Sequence, residues 1–415
     1  MKVYIAPCGL GLGHIARCEP IARKLMEKGA AVIFSTYLDG LQYAERKKLR
    51  TVETIPISFK VRLDGSVDFK RTASSSGFSL GVRRFLKQIL KEIGNIASFR
   101  ADVVISDSRA SSIVAAKLLG VPTILLLNQF KVEIVRRPSN VKMSLFDRLF
   151  FFIANIFWIF VRTLLQGVWA LSDIILIPDF PLPYTIALGN LAIPKKYQSK
   201  VKLIGPITEA KPNQLPSREE IRKKLGFDSN RRLIYAAVSG PRVERRYLAN
   251  KLLEILSKPH SDYQVVLSKG EPSSEAYLKK YGDVTAYDWI DDLTQFELLK
   301  ACDLLVCRAG HGIVTKALVY GKPLVLIPIP DQTEQYGNAN RAVRLGVAEV
   351  IMQSELNEER LLKAVERILI SDVYEKRARH VADVTATLDA TQTAIEVVRQ
   401  LAQRSYAQFR DQLNH

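Results

Sequence analysis

Apolar and polar positions fall in repeating blocks along this chain. Apolar runs at residues 3–6, 31–35, 103–106 and 123–127 are too short for helices and read as buried parallel strands. Between them, stretches such as 15–28 and 111–119 carry apolar residues at helical spacing. The pattern returns in the second half, with strands predicted at 233–238, 264–267, 304–306, 324–327 and 348–351. Helices are predicted there near 243–257, 292–301, 312–320 and 333–345. Alternation of this kind predicts doubly wound parallel sheets, and its repetition predicts two Rossmann-like α/β domains. The proline-rich, polar segment 205–217 is the natural linker. It divides the chain into an N-terminal domain over 1–204, a C-terminal domain over 218–385 and a terminal helix over 386–415 that could pack back on the first domain. Two such domains enclose a cleft at the carboxyl ends of their strands.

Two segments break the alternation. Residues 58–80 are polar and contain glycine, so a mobile loop beside the cleft is expected. Residues 145–171 are far more apolar, but their uncharged part, 149–161, falls short of the roughly 20 residues a membrane span needs. Arg162 interrupts it and Asp173 follows. An interfacial helix is expected instead, with Phe151, Phe157 and Trp158 dipping into lipid and Arg136, Arg137 and Lys142 beside anionic headgroups. The alternative is a helix buried on the N-domain sheet.

Composition sharpens this picture in three respects. A length of 415 residues exceeds the usual single core. The formal net charge of +18 attracts anionic partners, whether lipid headgroups, phosphorylated substrates or nucleic acid. Aromatic residues are not interleaved with the basic stretches, which argues against nucleic acid. Cys8, Cys18, Cys302 and Cys307 show no paired or metal-ligand spacing and read as buried thiols of a reducing compartment. Glycines from Gly9 onward interrupt any signal-peptide pattern, so a cytoplasmic protein held at the inner face of the cell membrane is expected.

Chemistry-bearing residues cluster at predicted strand ends. Gly9-Leu10-Gly11-Leu12-Gly13-His14 follows the first strand, where Gly11 and Gly13 let the backbone approach a nucleotide. A dinucleotide fingerprint would need glycine where His14 stands, and no acidic residue closes the second strand. His14 is placed instead to take a proton at the cleft, and Asp107, at the end of the third apolar run, to orient it. A helix-cap role is the plainer reading of each. No DxD occurs and the five histidines are scattered, so neither a metal nor another cofactor is expected. A diphosphate would be met instead by Ser239, Gly240 and Arg242, and by Arg308, Gly310, His311 and Gly312, each group preceding a helix.

The run CRAGHGIVTKALVYGKPLVLIPIPDQTEQYGNANRAVRLGVA resembles the donor domain of GT-B glycosyltransferases. The likeness is to the peptidoglycan N-acetylglucosaminyltransferase-like (family 28-like) group, with its eukaryotic lipid-linked-oligosaccharide counterparts. GLGLGHIAR at the N-terminus resembles the same group's glycine-rich loop, whose histidine corresponds to His14. The resemblance implies a base-binding turn at Trp289 and Ile290 and donor-sugar contacts from Glu334 and Gln335. Asn338 follows at the group's spacing, and Asp331-Gln332 resembles a pair in its plant-type branch. Where the group has a ribose-binding glutamate this chain has Lys316, which cannot accept a hydrogen bond. The implied activity is inverting, metal-independent transfer, N-acetylglucosamine from UDP-N-acetylglucosamine being the first candidate, to a lipid-linked acceptor at an anionic membrane surface. A glycolipid glycosyltransferase, a UDP-sugar 2-epimerase and a non-catalytic nucleotide-sugar-binding membrane subunit remain alternatives. The sequence leaves the oligomeric state open.

Overall fold

The computed structural model describes residues 1–57, 69–133, 144–240, 242–258, 262–271 and 278–413. The first half contains β1 (Lys2–Pro7), α1 (Gly13–Glu27), β2 (Ala31–Thr36), α2 (Asp39–Arg46), β3 (Thr51–Glu53) and α3 (Phe69–Phe99). It continues with β4 (Val103–Asp107), α4 (Ala110–Leu118), β5 (Thr123–Leu126), α5 (Leu145–Trp169), β6 (Ile174–Ile177), α6 (Leu188–Leu191) and β7 (Val201–Leu203). The second half begins with α7 (Arg218–Leu225), β8 (Arg232–Ala237), α8 (Arg242–Leu256), β9 (Tyr263–Ser268), β10 (Leu278–Tyr281) and β11 (Val284–Tyr287). There follow α9 (Asp292–Ala301), β12 (Leu304–Cys307), α10 (His311–Val319), β13 (Leu324–Leu326), α11 (Thr333–Leu345), β14 (Ala348–Val350), α12 (Glu358–Ile370), α13 (Asp372–Thr385) and α14 (Ala390–Leu413).

The strands form two sheets of seven, ordered β3-β2-β1-β4-β5-β6-β7 and β10-β11-β9-β8-β12-β13-β14. Pairing is parallel except between β10 and β11. Strands such as β4 and β12 are buried throughout because helices cover both faces of the sheet. In each sheet the order reverses beside the central strand, at β1/β4 and at β8/β12, and loops there diverge to leave a crevice. Helix boundaries follow local chemistry. Ser217 and Glu220 form a capping box that starts α7, and Gly226, at φ +76°, ends it.

The two halves exchange packing elements. The inner face of α14, including Ala394, Ile395, Val398 and Leu401, joins the core formed by β1, β2 and α1 of the first sheet. In return Phe180 and Ile186, from the segment after β6, enter the core of the second sheet with Tyr235, Leu305 and Leu318.

Two expectations need correction. Residues 69–80, read as loop, form the first turns of α3, because the polar residues there do not prevent helix formation N-terminal to an amphipathic stretch. Residues 58–68 lie outside the described residues. The apolar segment forms a 25-residue helix that continues through Arg162. Its stretch Phe151–Trp169 has mean hydropathy 1.6 and is long and apolar enough, by length and composition, to cross a membrane. Yet β5 and β6, on either side of it, pair directly in one sheet, so α5 is the crossover between them. Phe151 and Trp169 are buried against the domain, and the Trp158 indole donates to Val132 O at 3.0 Å. Phe151 and Trp158 therefore belong to the inner side of the helix. The outward side is Phe152, Ile153, Ile156, Phe157, Ile159, Phe160 and Leu164, all exposed, with Leu145, Phe146 and Leu149 at the start. Arg136, Arg137 and Lys142 lie outside the described residues.

Candidate active site

The first crevice brings together the residues that the glycine turn and β4 supply. Gly11 adopts φ +72°, a conformation that favours glycine, and its N–H donates to Asp39 Oδ2 at 2.9 Å. Pro7 of β1 lies opposite Asp107 of β4 in the sheet, so the glycine turn and the end of β4 emerge side by side. His14, at the start of α1, places Nδ1 2.7 Å from Asp107 Oδ1. This leaves Nε2 as the ring nitrogen for a substrate hydroxyl. The Asp107 side chain is fully buried while His14 is 27% exposed, an imidazole at the surface with a carboxylate behind it. Ser108, directly after Asp107, sits at φ +57°, a strained conformation for a residue with a Cβ.

Arg17 completes this cluster, and sequence reasoning missed it. It lies one helical turn beyond His14 on the same face and contacts both Asp107 oxygens through Nε and Nη2. Burial raises the Asp107 carboxyl, but Arg17 and His14 more than offset this and hold it well below the usual carboxylate range. The available signal was the i, i+3 spacing of His14 and Arg17 within GLGLGHIAR.

Across the cleft lies the start of α11. The Glu334 carboxylate accepts from Asn128 Nδ2 at 2.8 Å, and Asn128 Oδ1 accepts from Arg17 Nη1 at 3.1 Å. Asn190 Nδ2 donates to Glu334 O and to Asn338 Oδ1, both at 3.0 Å. Asn338 is fully buried and its amide also donates to Ala309 O, joining α11 to the loop after β12. Gln335 uses Oε1 to accept from Ile329 N at 2.9 Å. Asp331, at φ +60°, donates its N–H to the Tyr336 hydroxyl, and Gln332 is the exposed N-cap residue of α11. The closely spaced polar residues of this segment thus divide their work, some shaping the loop and Glu334 meeting the first domain.

The predicted phosphate turns occupy the second crevice, with two corrections. Arg308 does not offer a cation to solvent, because its fully buried guanidinium pairs with Glu244 and donates to Ile327 O and Gln353 Oε1. A charge this deep needs such partners. His311 is also buried, with Nε2 3.0 Å from Asp179 Oδ2 of the first domain, so its ring is turned toward that domain. In the Arg308–Gly312 turn what remains for an anion is backbone. Gly310 caps α10 without a side-chain hydrogen bond, and a side chain at Gly310 or Gly312 would meet open space. Ser239 is exposed and Gly240 takes φ +121°, while the Arg242 side chain lies outside the described residues.

At the turn after β11, Ile290 is buried and the Arg46 guanidinium of α2 lies 4.8 Å from the Trp289 ring centre. Lys316 is half-buried with its ammonium 5.0 Å from the Phe296 ring centre. Glu19, Glu209 and Asp292 bring carboxylate oxygens within 4.8 Å of one another. Lys47 pairs with Asp292, Arg23 pairs with Glu19, and the Tyr43 hydroxyl donates to Glu19, so the chain's own groups meet part of that charge. A cavity of about 400 Å³ opens on the seam between the halves, lined by Lys131, Asn190, Thr333, Tyr336 and Met352. His14 and Asp107 do not line it.

This arrangement can deprotonate a hydroxyl on the first domain while the second holds an anionic donor by backbone amides. Residues 243–395 match the glycosyltransferase family 28 C-terminal domain. An uncharacterized glycosyltransferase of Methanosarcina acetivorans is 25% identical over 95% of this chain and 96% of its own length. The UDP-N-acetylglucosamine--N-acetylmuramyl-(pentapeptide) pyrophosphoryl-undecaprenol N-acetylglucosamine transferase of Lactobacillus delbrueckii subsp. bulgaricus is 27% identical over 42% of this chain and 48% of its own length. The crystal structure of Acinetobacter baumannii MurG superposes with a TM-score of 0.57 at 14% identity, covering 96% of this chain and 99% of that one. With two parallel-sheet domains facing a His–Asp cleft, the chain is a glycosyltransferase of GT-B fold whose second half matches the family 28 C-terminal domain.

Proposed function

We propose that this transferase is inverting and metal-independent, and that it moves N-acetylglucosamine from UDP-N-acetylglucosamine to a lipid-linked acceptor at the cytoplasmic face of the membrane. One observation carries the reading: His14, backed by buried Asp107, faces the cleft that Glu334 closes from the other side. His14 removes the acceptor proton as the oxygen attacks the anomeric carbon from the face opposite the departing UDP. The free amides at the start of α10 and the Ser239–Gly240 turn receive the diphosphate, so its charge is met without a bound metal. The Lactobacillus relative, whose name specifies UDP-N-acetylglucosamine and a pyrophosphoryl-undecaprenol acceptor, supports the choice of donor and acceptor class. The outward apolar side of α5 supports a membrane location, since water-exposed phenylalanines on this scale mark an interaction surface.

The deciding experiment measures UDP release from UDP-N-acetylglucosamine, with and without vesicles carrying a polyprenyl-diphosphate-linked sugar. Acceptor-dependent release supports the reading. Release that ignores the acceptor, or appears only with another nucleotide sugar, overturns the acceptor or the donor assignment respectively. Lys316 makes the nucleotide comparison worth including, because no carboxylate at that position grips the ribose.

A further inference from the structure

The His14 half of the cleft and the Glu334 half are joined by one side-chain amide. Asn128, just beyond the end of β5, is 7% exposed. Its oxygen accepts from Arg17 and its nitrogen donates to Glu334. A guanidinium can only donate and a carboxylate can only accept, so a single orientation of the amide satisfies both. Arg17 in turn holds Asp107, and Asp107 holds His14. An unbroken run of polar contacts therefore links the acceptor base to the donor-side carboxylate.

We propose that Asn128 is a positioning residue that keeps His14 in register with the donor bound on the second domain. The inference rests on the reading that Glu334 meets the donor sugar and His14 the acceptor. The geometry suits this role. Glu334 gives Oε1 to Asn128, and its second oxygen can take a sugar hydroxyl without breaking the cross-cleft bond. Asn190 steadies the same end of α11 through the Glu334 backbone, so the carboxylate is presented to Asn128 from a fixed helix start. Loss of the amide leaves each half-site intact but free to shift relative to the other, and an ångström of misplacement at a reacting centre is costly.

The test uses the full-length protein and the substitutions Asn128→Ser, Asn128→Asp and Glu334→Gln, with the double variant N128D/E334Q. Asn128→Asp sets two carboxylates against each other and should lower kcat by about 10²-fold, while UDP affinity stays within about three-fold. Asn128→Ser should lower kcat by about ten-fold and serves if the aspartate variant does not fold. In the double variant the amide introduced by Glu334→Gln donates where the native carboxylate accepted. The pairing is restored with reversed polarity, and kcat should recover at least about ten-fold over Asn128→Asp. Unchanged kcat in the Asn128 variants, or losses in the double variant that simply multiply, would overturn the proposal. A second readout needs no acceptor: the imidazole NMR signal of His14, assigned with His14→Gln, should move in Asn128→Asp and return in the double variant. A signal indifferent to Asn128 also overturns it. Failure of the wild type to transfer from UDP-N-acetylglucosamine counts against the proposed donor instead, and the NMR arm still decides the coupling.

Discussion

At the residue scale the site depends on a buried carboxylate with two partners. His14→Ala should lower kcat by about 10²–10⁴-fold, the range of general base catalysis, while calorimetry finds UDP affinity within a few-fold of wild type. Asp107→Asn should cost less, since it leaves the imidazole present but poorly oriented. Near-normal turnover in His14→Ala would remove it from the mechanism. The Asp107 carboxyl also makes stability depend on pH in a defined direction. Its folded pKa is depressed, so its contribution is present above the unfolded carboxylate range and is lost as pH falls below about 4. Thermal midpoints measured from pH 7 downward should therefore fall more steeply for wild type than for Asp107→Asn. Much of this was legible in advance. His14 and Asp107 stand at predicted strand ends, where the fold itself points side chains into the crevice. Arg308 was misread because sequence shows a cation after a strand but not the buried Glu244 that claims it. Asn128 was invisible for a related reason: its partners are 111 and 206 residues away, and no local spacing announces them.

At the scale of elements, α5 separates two kinds of apolar residue that the sequence presents as one run. Hydropathy identifies such a segment, but which side faces the domain depends on how the crossover from β5 to β6 settles. Phe151 lies on the inner side, whereas Phe152, Phe157 and Phe160 are 59%, 41% and 59% exposed. Replacing those three with serine should weaken binding to anionic liposomes and barely shift the thermal midpoint. Phe151→Ser should do the opposite, destabilising by roughly 1.5–3 kcal/mol or more through lost burial. Co-sedimentation and thermal denaturation on the same variants check both. If the triple serine variant unfolds and wild type ignores liposomes, the outer side of α5 is not a lipid surface.

At the scale of the whole molecule, the central strands of both sheets could be read from periodicity because they are continuous apolar runs between helical stretches. Strands β3, β6, β7, β10 and β11 were not predicted. Of these, β3, β7 and β10 are three or four residues long and partly exposed, and β11 is a four-residue run with two polar or half-buried positions. Strand β6 stands directly after the long apolar segment of α5, which masks it. Metal dependence is also a question at this scale, because the neighbouring carboxylates of Glu19, Glu209 and Asp292 come from the first half, the linker and the second half. Transfer should survive EDTA and gain nothing from added Mg²⁺ or Mn²⁺. Dependence on either ion would contradict the assignment of the diphosphate to backbone amides.

The exchange of packing elements between the halves bears on how such a protein can be taken apart or recombined. A protease nick in residues 205–217 severs the chain, but α14 still sits in the first core and Phe180 in the second. The nicked protein should elute from gel filtration as one particle, and separation into two fragments would count against the strength of this interlock. The same feature sets the units of inheritance. A half cut at the linker and grafted to a different donor domain would arrive without the helix that covers its sheet, and would carry an apolar segment fitted to a partner left behind. Domain swaps within this lineage would have to respect a boundary that crosses the sequence four times.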